Sequence, residues 1–311
     1  MMSNFKRLST GLMAAALVGL TVAPAAFAQL PAHLRDYQLA APKKSGDVVG
    51  PMFNGWIKND DDSITMIFGF VNQNREEIVD IPLGPNNRLE PAQFDGAQPT
   101  HFPVYSRGGF VGLQERGVFA VTVPADMADT EVVWTLSHGG VSYSVPGRAT
   151  STAYEMSRDP AAMGSVNPAI RFSATGPEAT DREGIYAAPV NAKVGTPVTL
   201  TAQVQDRGDR RGYEVQTPFF PVGTEWIMHQ GPVGATPVFE NPKVTGKDRG
   251  ETDTQAMSGS GDWTQTTTRV TFSEPGDYVI RLRVDNFMAP DSQFDNQCCW
   301  SNAYVPVKVS E

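Results

Sequence analysis

The stretch RVTFSEPGDYVIRLRV, residues 269–284, decides the fold. It holds a short apolar segment, a turn at Pro275 and Gly276, and then DYVIRLRV at 277–284, in which apolar and polar side chains alternate. Such alternation predicts a half-buried β-strand, with one face on a core and the other in water. A second alternating run, AYVPVKV, follows at 303–309. The two runs predict the last hairpin of a β-sandwich, with a long loop between its strands.

The composition favours β-structure along the whole chain. Glycine (29) and proline (24) are frequent among the 311 residues, and only 40% of the side chains are hydrophobic. Many short strands need many turns, and no long stretch shows helical periodicity. The sequence therefore predicts an all-β protein.

The N-terminus has the layout of a cleaved secretory signal peptide. Lys6 and Arg7 precede an apolar run at 8–22, and Ala-Phe-Ala ends at Ala28. This run is too short and interrupted for a bilayer-spanning helix, so we expect cleavage near Ala28 and a periplasmic or secreted protein. Cleavage would leave 283 residues, long enough for two ordinary cores, and would move the formal charge from −9 to −11. An acidic exported chain disfavours nucleic acid and anionic membranes as partners, and no later segment predicts a membrane span.

Strand and turn signals divide the rest of the chain into two sandwiches. The predicted parts are an extended, partly disordered lead-in at 29–51, an N-terminal sandwich at 52–146, a linker at 147–168 with a helical turn around 160–163, and a C-terminal sandwich at 169–311. The first sandwich should open with a hairpin of residues 53–57 and 64–72.

A long segment of the first sandwich, residues 82–98, carries no strand pattern. Loops of this length inside a compact domain are often functional. Asn86 and Asn87, at its centre, are therefore candidate ligand-binding residues.

Two resemblances support this division. The runs GTPVTL at 195–200 and PGDYVIRL at 275–282 resemble immunoglobulin-like and PKD-type β-sandwich modules of exported bacterial proteins. That likeness covers the C-terminal sandwich and implies that Tyr278 fixes a corner there. Together with the strand signals of the first half, it leads to a predicted fold of two immunoglobulin-like β-sandwich domains in tandem. FNGW at 53–56 and PLGPNN at 82–87 are similar to a family of uncharacterised exported bacterial proteins, which adds no catalytic residue.

The long C-terminal loop contains both cysteines of the chain, Cys298 and Cys299, followed by Trp300. Adjacent Cα atoms lie about 3.8 Å apart, below the usual disulfide span of roughly 4.4 Å upward, so a bond between them would be strained and easily reduced. In an oxidising compartment this vicinal disulfide would make a ligand-stacking platform with Trp300 or a redox switch. The alternatives are one buried and one idle cysteine, a crosslink between chains, and a tryptophan that belongs to the core.

The same loop carries Asp285, Asp291 and Asp295. Carboxylate oxygens on a flexible segment suit calcium, although their spacing fits no EF-hand. Acidic residues in solvated turns are the alternative explanation. Calcium is the only cofactor that the sequence suggests.

Catalytic signatures are missing from the sequence. No Gly-x-Ser-x-Gly and no phosphate-binding glycine loop occurs, and His101, His138 and His229 lack metal-ligand spacing. Glycosidase carboxylates are separated in sequence, so this reaction class stays open. The favoured function is a non-catalytic binding or structural protein with an unknown envelope or extracellular ligand. The alternative is a hydrolase or metal-dependent enzyme at the domain junction, with His101 as its first candidate residue.

Overall fold

The computed structural model describes residues 43–104, 114–210, 220–244, 261–289, 291–292 and 298–311. All of them belong to one compact unit, Pro42–Glu311. The predicted signal peptide and the first part of the lead-in lie outside the described residues. Within the described ranges every regular element is a β-strand or a short 3-10 turn, which confirms the all-β prediction. No helix in this part of the chain is long and apolar enough to cross a membrane.

Among the residues that the structure describes, eight strands form the first sandwich. They are β1 (Val49–Lys58), β2 (Ile64–Asn72), β3 (Val79–Asp80), β4 (Asn87–Glu90), β5 (His101–Phe102), β6 (Gln114–Val123), β7 (Val132–His138) and β8 (Val141–Gly147). They pair as β1-β2-β6, β4-β7-β8 and β3-β5. The predicted first hairpin is confirmed, since β1 and β2 are antiparallel neighbours.

The core of the first sandwich is aromatic. Trp134 on β7 meets Phe119 on β6 edge to face, with ring centroids 5.0 Å apart. Phe68 on β2 stacks on Phe119 at 5.3 Å. All three side chains are buried, and each such pair adds about 0.5–1.5 kcal/mol beyond the area it buries.

The described part of the second sandwich contains ten strands. They are β9 (Ala169–Arg171), β10 (Glu178–Ala179), β11 (Val190–Lys193), β12 (Val198–Gln205), β13 (Gly223–Gln230), β14 (Val238–Glu240), β15 (Lys243–Val244), β16 (Thr264–Thr271), β17 (Gly276–Asp285) and β18 (Trp300–Ser310). They make two five-stranded sheets, β10-β9-β12-β16-β14 and β11-β18-β17-β13-β15.

The predicted last hairpin is confirmed by the antiparallel pair β17 and β18, which runs from Gly276 opposite Val309 to Asp285 opposite Trp300. Tyr278, Ile280 and Leu282 of β17 point into the core between the two sheets. The Tyr278 hydroxyl donates a hydrogen bond to the Glu274 carbonyl at 2.8 Å, the corner contact that the resemblance implied.

The end of the predicted lead-in is part of the first sandwich. β1 begins at Val49 and not near residue 53, because residues 49–53 pair with the end of β2. Upstream of β1, the Lys43 and Lys44 carbonyls accept hydrogen bonds from the Arg75 and Glu76 amides at 2.9 and 3.0 Å. Backbone hydrogen bonds hold this segment against the first sandwich. The order of polar and apolar side chains in the sequence does not indicate such bonds.

Segment 82–98 contains a strand that the sequence did not predict. In β4, Asn87 and Leu89 are buried while Arg88 and Glu90 are more exposed, which is the alternation of a strand. One of the two buried residues, Asn87, has a polar amide side chain, so the alternation of buried and exposed residues is not visible as an alternation of apolar and polar residues. β4 pairs with β7.

The predicted linker, residues 147–168, packs against the first sandwich in its first part. The Trp56 indole donates to the Ser151 carbonyl at 2.9 Å, and Met156 packs with Ile57 and Ile67 on the outer face of β1 and β2. At the helical turn predicted around 160–163, the structure has one hydrogen-bonded turn, in which the Gly164 amide donates to the Ala161 carbonyl. In the described ranges, 3-10 turns occur at Ala92–Phe94, Ala125–Met127 and Thr152–Tyr154. The exact domain boundaries stay a prediction.

Candidate functional site: the sandwich junction and its cleft

The outer face of β17 is covered by the first sandwich. Glu115 of β6 is fully buried and accepts hydrogen bonds from Arg283 Nη1 at 2.9 Å and Arg281 Nη2 at 3.3 Å. The side chains of Arg281 and Arg283 are only 2% and 3% exposed. The polar face of this strand, which alternation predicted to be in water, is therefore an interface between the sandwiches.

A β-bulge in β6 supplies hydrogen-bond acceptors to this interface. The register between β2 and β6 shifts between Phe68 and Phe70. Gly117 lies in the part of β6 where the pairing is interrupted, and its φ is 56°. A Cβ at Gly117 would lie 2.6 Å from the Trp300 ring, so glycine is required for both conformation and space. The bulge turns backbone carbonyls away from the ladder and toward the second sandwich.

Side chains of the second sandwich donate to these carbonyls. Asn302 Nδ2 donates to the carbonyls of Gly117 and Val118 at 2.9 and 3.2 Å. Arg281 Nη1 donates to Val118 at 2.7 Å, and the Tyr304 hydroxyl donates to the same carbonyl at 3.3 Å. Because the donors and acceptors belong to different sandwiches, these bonds hold the two together.

A second set of contacts joins the end of β13 to the loop before β5. The buried His229 ring donates from Nε2 to the Ala97 carbonyl at 2.9 Å, and the Thr100 amide donates to the His229 carbonyl at 2.9 Å. Burial, reinforced by the charge of Arg281, lowers the pKa of His229 to about 3, against a smaller opposing effect of the Ala97 hydrogen bond. His229 is therefore a neutral part of the junction at neutral pH.

His101, the first enzymatic candidate, is paired with a carboxylate. Its Nδ1 lies 2.7 Å from Asp80 Oδ1, and Asp80 Oδ2 accepts a hydrogen bond from the Gly234 amide at 2.8 Å. His138, by contrast, lies at the end of β7. Across the described ranges, no group of three or more His, Cys, Asp or Glu residues could hold a metal ion.

The two asparagine candidates have different positions. Asn86 is exposed, whereas Asn87 is fully buried. Asn87 Nδ2 donates to the carbonyls of Ile81 and Pro99 at 2.8 and 2.7 Å, and its Oδ1 accepts from the Trp134 indole at 3.0 Å. The geometry thus occupies Asn87 in structural contacts and leaves Asn86 as the accessible residue of the pair.

We expect Asn87→Ala to lower the free energy of unfolding by about 2–4 kcal/mol. The substitution leaves the buried carbonyls of Ile81 and Pro99 and the Trp134 indole N–H without their hydrogen-bond partner. Asn86→Ala is the matched control, since the Asn86 carbonyl still accepts from Ser137, and it should change stability by less than about 0.5 kcal/mol. Urea unfolding followed by tryptophan fluorescence measures both. Equal effects of the two substitutions would show that the assigned contacts are wrong.

Trp300 is not an exposed platform. It is 3% exposed, its indole N–H points at the Gly117 carbonyl at 3.4 Å, and the Arg182 guanidinium lies 4.3 Å from its ring centroid. The stacking partner of Trp300 is thus a side chain of the protein. Trp263 has a similar partner, since the Arg171 guanidinium lies 3.8 Å from its ring centroid.

Cys298 and Cys299 form a disulfide with each other. Cys299 is fully buried, while Cys298 is half-buried and lines a cleft. The platform formed with Trp300 is excluded by the burial of Trp300, and the redox hypothesis stays a prediction.

The acidic candidates of the same loop serve structural contacts. Asp285 Oδ1 accepts from the Phe287 amide at 3.2 Å. Asp291 Oδ2 accepts from the amides of Met163 and Ser165 at 2.8 and 3.1 Å. Burial alone would raise the pKa of Asp291, but the hydrogen bonds from Ser165 and Met163 outweigh it and lower the pKa. Asp295 lies outside the described residues, so the calcium hypothesis stays untested.

The cleft beside Cys298 has a volume of about 450 Å³. It lies between the segment that follows β8 and the second sandwich. Its lining residues are Met156, Ser157, Arg158, Asp159, Pro160, Ala161, Val166, Asn167, Thr180, Arg182, Arg207 and Cys298. Neither His101 nor Asp80 is among them.

Three arginines give the cleft its chemistry. Arg158 donates to Asn59 Oδ1 at 2.7 Å and lies 3.5 Å from an Asp181 carboxylate oxygen. Arg182 is buried and stacked on Trp300, and Arg207 is exposed. Sequence reasoning missed all three, since arginines scattered over 50 residues carry no spacing signal and only the tertiary fold brings them together.

No protein-family model matches the chain, and no curated protein matches its sequence, so the N-terminal family resemblance gains no support. Solved structures are similar at low identity. The D00-D0 domain of intimin is 13% identical, with 84% of this chain and 99% of that chain covered and a TM-score of 0.24. Domains 4 and 5 of the S-layer protein SbsC are 12% identical, with 85% and 98% covered and a TM-score of 0.20. A tandem of Ig domains from titin is 10% identical, with 85% and 99% covered and a TM-score of 0.21. At these TM-scores the likenesses carry no argument about function.

Proposed function

We propose that this protein is an exported, non-catalytic binding protein whose ligand is a small organic or inorganic anion held in the cleft beside Cys298. The observation that supports this most is the convergence of Arg158, Arg182 and Arg207 on one cleft. Guanidinium groups are the side chains best suited to bind carboxylate, sulfate and phosphate, because their planar fork donates two parallel hydrogen bonds.

The charge of the cleft differs from that of the whole chain. The chain has a formal charge of −9, whereas the cleft lining holds three arginines and one carboxylate, Asp159, and is positive by two charges. Two further carboxylates outside the lining, Asp181 and Glu183, interact with Arg158 and reduce this excess. An anion repelled by most of the surface is attracted here, and the low-dielectric walls of a cleft strengthen that attraction.

The cleft is also suitably sized and firmly built. Small-molecule sites commonly enclose roughly 300–1,000 Å³, and this one encloses about 450 Å³. Arg182 is fixed by Trp300, and the neighbouring turn is fixed to Asp291 through Met163 and Ser165. Pre-formed walls reduce the ordering cost of binding.

Export is part of the same proposal. The leader ending at Ala28 and the pairing of two cysteines support a periplasmic or extracellular location. Amino-terminal sequencing of protein from the native host should begin at Gln29. A retained leader would contradict export by this route.

Binding is tested by calorimetric titration with sulfate, phosphate and citrate at low ionic strength. We expect at least one of the three to bind, and Arg207→Gln to weaken its affinity about tenfold, which corresponds to ~1.4 kcal/mol. Arg269→Gln is the matched control: it removes the same charge from an exposed pair with Glu240 outside the cleft. The absence of heat with all three anions, or equal weakening by both variants, would refute the proposal.

A second candidate is a hydrolase in which His101 acts as a base oriented by Asp80. The 2.7 Å contact between them favours it, since a histidine held by a carboxylate is two-thirds of a familiar hydrolytic arrangement. The competing explanation is that Asp80 serves the junction, because its other oxygen binds the Gly234 amide. Hydrolysis of ester or glycoside substrates that His101→Gln abolishes would favour the enzyme.

A further inference from the structure

We infer that the Cys298–Cys299 disulfide is a thiol-exchange site that selects anionic low-molecular-weight thiols. The inference rests on the proposed function, since Cys298 lines the same cleft as the three arginines. It adds a covalent chemistry and a preferred class of reactant to that cleft.

The two cysteines differ in access. Cys298 is half-buried and forms part of the cleft wall, and its Sγ lies 4.0 Å from the Ser165 carbonyl oxygen. Cys299 is fully buried, and its carbonyl accepts a hydrogen bond from the Asn286 amide at 3.3 Å. A thiolate that enters the cleft therefore reaches Cys298 first.

The reaction is thiol–disulfide exchange. The incoming thiolate sulfur forms a bond to Cys298 Sγ, the bond between Cys298 Sγ and Cys299 Sγ breaks, and its electron pair stays on Cys299 Sγ. That sulfur takes up the proton lost when the incoming thiol ionised. A second thiol then attacks the mixed disulfide, so that two thiols are oxidised to one small-molecule disulfide and the protein pair is reduced to two thiols.

The cleft arginines determine which thiols react fastest. A thiol with an additional negative group is attracted twice, through that group and through the attacking thiolate. A thiol with an ammonium group is repelled by the arginines, although Asp159 and Asp181 reduce the contrast. Charged clefts change association rates by about 10-fold to 1,000-fold, and salt screens the effect.

Three thiols that share a two-carbon skeleton test this selectivity: 2-mercaptoethanesulfonate, 2-mercaptoethanol and cysteamine. The full protein is treated with each at low ionic strength, quenched with acid, alkylated and analysed by mass. Rates are expressed per thiolate and relative to an uncharged small disulfide. We expect the sulfonate to react about tenfold faster than the neutral thiol, and cysteamine to react slowest. Addition of 0.5 M salt should reduce the differences among the three rates, because it screens the charges.

Fragment-ion mapping tests the site of attack. The trapped species should carry the mixed disulfide on Cys298 and the alkyl group on Cys299. The opposite arrangement would overturn the inference, as would two thiols that alkylate without any reductant.

Arg207→Gln should slow the sulfonate several-fold and leave cysteamine unchanged or faster, whereas Arg269→Gln should alter neither. Equal rates for the three thiols would overturn the inference. If the three thiols react equally but Arg207→Gln still weakens sulfate binding, the anion-binding proposal stands and only the thiol-exchange inference fails. If Arg207→Gln changes neither sulfate binding nor the thiol rates, both proposals fail.

Discussion

Replacing Glu115 with glutamine will lower the free energy of unfolding by about 3–5 kcal/mol, the cost of leaving a buried ionic partner uncompensated. Glu115 is fully buried and is bound by both Arg281 and Arg283. Glutamine preserves the size of the side chain and removes its charge. Two buried guanidinium groups would then face a neutral amide at the centre of the interface between the sandwiches.

Glu131→Gln is the matched control for this substitution. Glu131 pairs with Arg148, but these side chains are 40% and 57% exposed, and exposed pairs contribute about 0–1 kcal/mol. Urea unfolding of the three proteins gives the comparison. A loss at Glu115 no larger than at Glu131 would mean that the junction charges are not buried in solution.

The second large effect is a loss of stability in acid caused by His229. Its pKa falls from 6.5 to about 3 on folding, first because the ring is buried and second because Arg281 is near. A lowered pKa stabilises the folded protein fully above the unfolded value, and this contribution is lost as pH falls from about 6.5 toward 3. Over the whole interval it amounts to about 5 kcal/mol.

His229→Gln isolates this contribution, because glutamine retains an N–H that can donate to the Ala97 carbonyl and does not titrate. The carboxylates are common to both proteins, so their acid sensitivity cancels in the comparison. Between pH 7 and pH 4 the wild-type protein should lose about 3 kcal/mol more than the variant. Parallel pH profiles would show that His229 is accessible to protons in the folded state.

The sequence predicted one face of each long strand and missed the role of the other. In β17, Tyr278, Ile280 and Leu282 point into the predicted core, since alternation reports which side chains avoid water. Arg281 and Arg283 were expected in water because charged residues are rarely buried. Their partner Glu115 lies more than 160 positions away, and no local pattern reveals that a second sandwich covers them.

The candidate site was predictable only where residues are neighbours in sequence. The pairing of Cys298 with Cys299 was one of the alternatives that the sequence left open for these adjacent residues, and the structure contains that bond. The burial of Trp300 depends on the bulge at Gly117, and the cleft depends on arginines from three separate segments. Both are products of the junction between the sandwiches.

The junction makes the two sandwiches one structural unit that holds the cleft in shape. Differential scanning calorimetry of the protein at pH 7 measures whether they unfold together. We expect a single transition whose calorimetric enthalpy equals its van't Hoff enthalpy, as for one cooperative unit. Two separable transitions, one for each sandwich, would contradict it.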